Sequence, residues 1–152
     1  VPRYIVEEIN ALGGNIQNAY GISKEELKAA IPCGIGKINV DTDIRLAVTR
    51  NFRELFRDHP ELKDDPKAGG VWKLLDEKRD AFDPRAFLAP IMDTVMYGAG
   101  DEGAVARITD AMRRGVKEAV GTLIVEFGSY GKAPLVEPAT LEDMAARYAK
   151  EG

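Results

Sequence analysis

The chain has 152 residues, of which 45% are hydrophobic and 30% are charged, and its formal net charge at pH 7 is −4. That length fits one domain, and the acidic balance without a basic patch argues against a nucleic-acid partner. No apolar run approaches the ~18 residues of a membrane span, so we expect no membrane partner. Cys33 and His59 are each the only residue of their kind. A disulfide within the chain and a site with several histidine ligands are therefore excluded, and a reducing, cytoplasmic compartment suits the composition.

The chain is predicted to be mostly helical, because seven stretches carry the apolar spacing or the end signals of helices. In chain order these stretches cover about residues 3–12, 23–31, 44–58, 71–80, 83–95, 102–127 and 140–150. Ser23 and Glu26 form a capping-box pattern, and Asp83 precedes a proline at the first helical position. Glycine pairs or prolines separate most of the helices.

One stretch, residues 36–43, predicts a buried strand that runs directly into the third helix. Ile38 and Val40 share one face of it, and the other face carries Lys37, Asn39 and Asp41. A helix that begins after a strand offers an anion site, although a half-exposed strand with a polar face in water is the alternative. A lone parallel strand cannot pair its own backbone groups. Either the strand assignment is wrong, or its neighbours lie outside this sequence.

The run that contains this strand resembles the signature near the C-terminus of class II fructose-1,6-bisphosphate aldolases: Gly36-Lys37-Ile38-Asn39-Val40-Asp41-Thr42-Asp43-Ile44-Arg45-Leu46-Ala47. Further stretches agree with that family in the same order: Val1-Pro2, Gly13-Gly14, Tyr20-Gly21-Ile22, Phe82-Asp83-Pro84-Arg85, Phe127-Gly128-Ser129-Tyr130-Gly131 and Leu141-Glu142-Asp143-Met144-Ala145-Ala146-Arg147-Tyr148. The resemblance implies an α/β fold, namely the C-terminal part of a (β/α)8 TIM barrel with its eighth strand and mostly helical flanking segments. Residues 1–152 would form that portion of one barrel domain, with helical insertions at about 61–80 and 93–115.

The resemblance also implies an activity, the reversible zinc-dependent cleavage of fructose 1,6-bisphosphate to dihydroxyacetone phosphate and glyceraldehyde 3-phosphate, a lyase reaction of glycolysis and gluconeogenesis. Asn39 would contact the enediolate end of the substrate, and Asp41 would bind a substrate hydroxyl. Thr42 would bind the ketose-side phosphate, and Arg85 would reach the other phosphate across a subunit interface. The family's Zn2+ ligands and its catalytic Asp precede the matched region, so we expect no catalytic residue and no metal ligand in this chain, and no activity from it alone.

Each assignment has a simpler alternative. Asn39 and Asp41 also fit a satisfied polar layer inside a barrel, Thr42 fits helix capping, and Arg85 fits a surface salt bridge. For the whole chain, an aldolase for a related sugar such as tagatose bisphosphate and a non-catalytic helical interaction module stay open. Under the aldolase hypothesis the expected partners are a phosphorylated sugar, the N-terminal part of the barrel and further copies in a homo-oligomer, a dimer or larger.

Overall fold

The computed structural model describes residues 2–17 and 21–151, with only the backbone given for Glu151. Within those ranges it contains seven α-helices: α1 Arg3–Ala11, α2 Lys24–Ala30, α3 Thr42–Asp58, α4 Ala68–Glu77, α5 Met92–Tyr97, α6 Gly103–Glu126 and α7 Leu141–Glu151. Short 3-10 turns lie between them at Ile31–Cys33, Pro60–Asp64, Pro84–Ala86, Ala89–Ile91 and Ala133–Leu135. None of the helices described here is long and apolar enough to cross a membrane.

The predicted helix over residues 83–95 is broken into pieces. Two 3-10 turns occupy its first half, and the α-helix begins only at Met92. Pro84 starts the first turn, and Pro90 lies inside the second. A proline has no N–H for a helical hydrogen bond, and its ring crowds the preceding turn. A continuous helix through Pro90 is therefore disfavoured, and the periodicity of the apolar residues did not reveal this.

Helices α3 and α6 pack against each other at very close range and form the scaffold of the chain. Their crossing is at Gly115, which is buried. A methyl group at this position would lie 2.8 Å from the carbonyl oxygen of Ala47 and 2.8 Å from the Cα of Val48. Only a glycine lets the two backbones approach this closely, so this residue fixes the spacing of the scaffold.

Two clusters of buried apolar residues lie on either side of α3. The larger one joins α3 to α4, α6 and the turns around Phe87, and the ring of Phe52 meets that of Phe87 edge-on with 5.8 Å between centroids. The smaller one joins α1 to α3 through Ile5, Ile9 and Leu46. The predicted insertions at 61–80 and 93–115 both contribute to the larger cluster. Whether they are insertions stays a prediction, but their apolar residues belong to the main core.

The strand predicted within residues 36–43 is absent from the structure, where residues 35–41 are neither helix nor strand and α3 begins at Thr42. No strand is present elsewhere in the described ranges, so this segment has no neighbour with which to pair. A strand cannot form without one, because its N–H and C=O groups point sideways. The predicted alternation is nevertheless there. Ile38 and Val40 are half-buried, and Lys37, Asn39 and Asp41 are exposed.

Candidate functional site

The residues predicted to bind substrate gather near the N-terminus of α3. Asp41 occupies the N-cap position, and Thr42 is the first helical residue. The Asp41 carboxylate does not accept a hydrogen bond from the helix backbone. It is instead held by Arg45, one turn further on, whose Nε and Nη2 donate to its two oxygens at 2.7 Å each. The structure therefore shows no helix capping by the Asp41 side chain, and Thr42 lies past the capping position as the first residue of α3.

Arg45 also reaches a second carboxylate. Its Nη1 pairs with Asp83, which lies in the turn before the Pro84–Ala86 3-10 segment. The turn is held against α3 at another point, because the buried hydroxyl of Thr49 donates to the carbonyl of Phe82 at 2.9 Å. These two contacts place the Asp-Pro-Arg turn beside the start of α3.

Asp83 in turn holds Arg85. One oxygen of Asp83 accepts from the backbone N–H of Arg85 at 3.0 Å and from its side-chain Nε at 3.0 Å. The hydrogen bonds from Arg85, together with the charge of Arg45, lower the pKa of Asp83 to about 2. Asp83 thus stays ionised and acts as the link between two arginines.

Four alternating charges, Asp41, Arg45, Asp83 and Arg85, are joined in this way, and we name them the ion-pair chain. Its two inner side chains are partly shielded, with 28% of Arg45 and 30% of Asp83 exposed. Its two outer side chains are open, with 69% of Asp41 and 74% of Arg85 exposed. The structure therefore connects Asp41 and Arg85, which the sequence predicted from separate motifs.

Three of the four predicted residues lie in a shallow groove beside the same helix end. Asn39, Asp41 and Thr42 line it, together with Leu27 of α2 and Leu123 of α6. An ion pair between Lys28 and Glu126 ties α2 to the end of α6. Arg85 is not among the lining residues, and its hydrogen-bonded connection to the groove runs through the ion-pair chain.

The described residues do not fit a resident metal ion. No group of three His, Cys, Asp or Glu side chains among them is close enough to share one. His59 lies at the other end of α3 from Asp41, and its Nδ1 is 3.3 Å from a carboxylate oxygen of Glu61. Residues 2–17 and 21–151 thus offer no ligand set through which a metal-dependent step can be drawn.

Sequence reasoning gave two members of the ion-pair chain, Arg45 and Asp83, no role in the site. The contact of Arg45 with Asp41 has the (i, i+4) spacing of a helical ion pair, so it was visible in principle. The contact of Arg45 with Asp83 joins two elements far apart in sequence, and no local pattern reports it. Tyr20, which belongs to one of the matching stretches, lies outside the described residues.

Comparison with known proteins gives a consistent result. The model of the family "Fructose-bisphosphate aldolase class-II" matches residues 16–132. The chain is 33% identical to a fructose-bisphosphate aldolase of Xanthobacter flavus over 98% of this chain and 31% of that protein. It is 32% identical to a fructose-bisphosphate aldolase class 2 of Synechocystis sp. over 99% of this chain and 31% of that protein. It thus spans about a third of the length of these curated relatives. No solved structure matches it.

Proposed function

Because the chain belongs to the class-II fructose-bisphosphate aldolase family, we propose that it supplies the substrate-binding edge of an enzyme that reversibly cleaves fructose 1,6-bisphosphate. Membership in the family makes the chain part of a TIM barrel. The observation that carries the proposal is the ion-pair chain, which links the Asn-x-Asp-Thr-Asp run to the Asp-Pro-Arg turn. A substrate with a phosphate at each end requires groups of this kind at two places held at a fixed separation.

In this proposal the start of α3 binds the ketose end of the sugar. The amide of Asn39 donates to the enediolate oxygen, and a free lone pair of Asp41 accepts from a substrate hydroxyl. The Thr42 hydroxyl and the first N–H groups of α3 donate to the nearer phosphate, as helix N-termini commonly do. What supports these roles is that all three side chains line one groove.

Arg85 takes the other phosphate in this proposal. Asp83 engages its Nε and Nη2, and Nη1 has no acceptor among the described residues. An arginine held on one side by a carboxylate keeps its orientation and still offers N–H donors to a phosphate. Its exposed position also suits a phosphate bound by a neighbouring subunit, and we propose a homo-oligomer on that ground.

The family is generally zinc-dependent, and the described residues hold no ligand set for the metal. We therefore assign the zinc ligands and the acid–base Asp to the rest of the aldolase fold, which is the principal partner of this chain. We place the enzyme in the cytoplasm, where its exposed Cys33 thiol stays reduced. The steps that this chain performs are binding and orientation of the sugar phosphate.

The test measures cleavage of fructose 1,6-bisphosphate by the zinc-loaded protein in its native assembly, with triose phosphate release coupled to NADH oxidation. We expect turnover in the wild type and a loss of about 10- to 100-fold in kcat/KM for Asp41→Ala, since a hydrogen bond to a charged group contributes about 1.5–3 kcal/mol. Asp58→Ala, at the other end of the same helix, is the matched control and should leave kcat/KM unchanged.

Three results would change the proposal. Preference for tagatose bisphosphate would correct the sugar and keep the enzyme class. Full activity in Asp41→Ala would overturn the site. Absence of cleavage of either sugar by the zinc-loaded assembly would overturn the aldolase assignment and favour an interaction module.

A further inference from the structure

Arg45 has no role in the contacts proposed so far, yet it touches both halves of the site. We infer that Arg45 is a positioning residue that sets the separation between Asp41 and Arg85 and thereby makes the site selective for a sugar with two phosphates. This inference rests on the proposed function and extends it to a residue that does not touch the substrate.

The geometry makes Arg45 the junction of the ion-pair chain. Its guanidinium holds both oxygens of Asp41 through Nε and Nη2, and its Nη1 holds Asp83. A guanidinium presents these donors in one rigid plane, so the positions of the two carboxylates are fixed relative to each other. A lysine at this position is a single point charge and cannot fix two acceptors in this way.

Arg45 lies on a well-packed part of α3. Arg45 projects from the first turns of α3, and the next residues, Leu46 and Ala47, are buried in the core. The opposite carboxylate is mounted on the turn that Thr49 fastens to the same helix. Both carboxylates that Arg45 binds are therefore anchored to α3, Asp41 at its N-cap and Asp83 through the turn held by Thr49. The outer groups, Asp41 and Arg85, project from this shielded junction toward solvent.

The consequence for the substrate concerns its second phosphate. When Arg45 is replaced, Asp83 loses one of its two arginines. The Thr49–Phe82 hydrogen bond still holds the backbone of the turn at α3, but the Asp83 carboxylate, and Arg85 with it, is no longer fixed relative to Asp41. Arg85 then keeps its charge but loses its defined distance from Asp41. Binding energy that depends on both ends of the sugar being held at once is lost, as expected when a positioning contact is removed. A sugar that has only the ketose-side phosphate does not use Arg85 and loses less.

The test compares fructose 1,6-bisphosphate with fructose 1-phosphate in the zinc-loaded native assembly. The quantity measured is the ratio of kcat/KM for the two sugars, in which any loss of folded protein cancels. We expect Arg45→Gln to lower this ratio about tenfold, Arg85→Ala to lower it to the same extent, and the double variant to lower it no further. Arg50→Gln is the matched control, because Arg50 lies on the same helix and pairs with Glu8 and Glu118 away from the site.

An unchanged ratio in Arg45→Gln, with a reduced ratio in Arg85→Ala, would overturn the inference. So would full additivity in the double variant, which would mean that the two arginines act independently. A second measurement needs no activity: the NMR signal of the Arg85 Nε–H should move in Arg45→Gln and stay in place in Arg50→Gln. If the wild type cleaves no sugar, the proposed function fails, and an Arg85 signal unchanged by Arg45→Gln would separately refute the positioning role.

Discussion

Replacement of Gly115 by alanine should destabilise the protein, although alanine is the better helix former. Gly115 lies inside α6 where it crosses α3. An added Cβ would stand 2.8 Å from the Ala47 oxygen, 2.8 Å from the Val48 Cα and 2.9 Å from the Ala47 carbonyl carbon. Carbon atoms in contact prefer about 3.5–4.0 Å. The helices must therefore move apart, because the atoms in the way belong to the backbone and have no other rotamer.

The expected magnitude follows from two opposing contributions. Overpacking of a core costs about 1–3 kcal/mol, and a clash with backbone belongs at the upper end of that range. The gain in helix propensity from glycine to alanine is about 1 kcal/mol. The overpacking cost exceeds the gain, and we expect the free energy of unfolding to fall by about 2 kcal/mol.

The measurement is urea-induced unfolding of the protein, followed by the circular dichroism of its helices. Gly121→Ala is the matched control, because Gly121 is in the same helix and its added Cβ would have no described atom within 4 Å apart from its chain neighbours and the adjacent backbone of its own helix. That variant should gain about 0.5–1 kcal/mol from propensity alone. If Gly115→Ala were as stable as the wild type, the close crossing of α3 and α6 would be wrong.

Two further predictions concern the core and the ion-pair chain. Phe52→Ala should cost about 3–5 kcal/mol in urea unfolding because Phe52 is fully buried, and a loss below ~1 kcal/mol would contradict its place in the core. Arg85 and Arg45 lower the folded-state pKa of Asp83 from 3.8 to about 2. The ionised Asp83 therefore stabilises the folded protein above pH 3.8, and this stabilisation is lost as the pH falls from 3.8 toward about 2. Asp83→Asn should therefore make the decline of the urea midpoint over that pH interval shallower, and an identical decline would show that Asp83 is not held by the arginines.

The amphipathic helices could be predicted from sequence because their apolar spacing is a local property. The predictions were less accurate where glycine was interpreted as a loop residue. The sequence predicts that the fourth helix begins at residue 71, after Gly69 and Gly70, but α4 begins at Ala68 and contains both. A Cβ at Gly69 would lie 2.2 Å from the Lys63 oxygen, so this glycine permits close packing and does not end the helix. The real start signal is Asp65, whose carboxylate accepts from the N–H of Ala68 at 2.8 Å.

The sequence offered the candidate residues one by one but not their arrangement. The run around Asp41 and the turn around Arg85 were both identified from their own sequences. Nothing in either sequence states that Arg45 bridges to Asp83, because that contact depends on how the chain between them folds. A contact between side chains of two different elements cannot be predicted from residue spacing within either element.

The missing strand has a different cause. A helix closes its backbone hydrogen bonds within its own segment, so α3 and α6 form wherever their sequence allows. A strand closes its hydrogen bonds only with a neighbour, and the described ranges hold none for residues 35–40. Half-buried Ile38 and Val40 still alternate with exposed Lys37 and Asn39 although no sheet is described. The side-chain pattern of a strand therefore forms locally, whereas its backbone pairing does not. Residues 35–40 therefore depend on the rest of the aldolase fold for their final geometry more than the other segments that carry proposed substrate contacts.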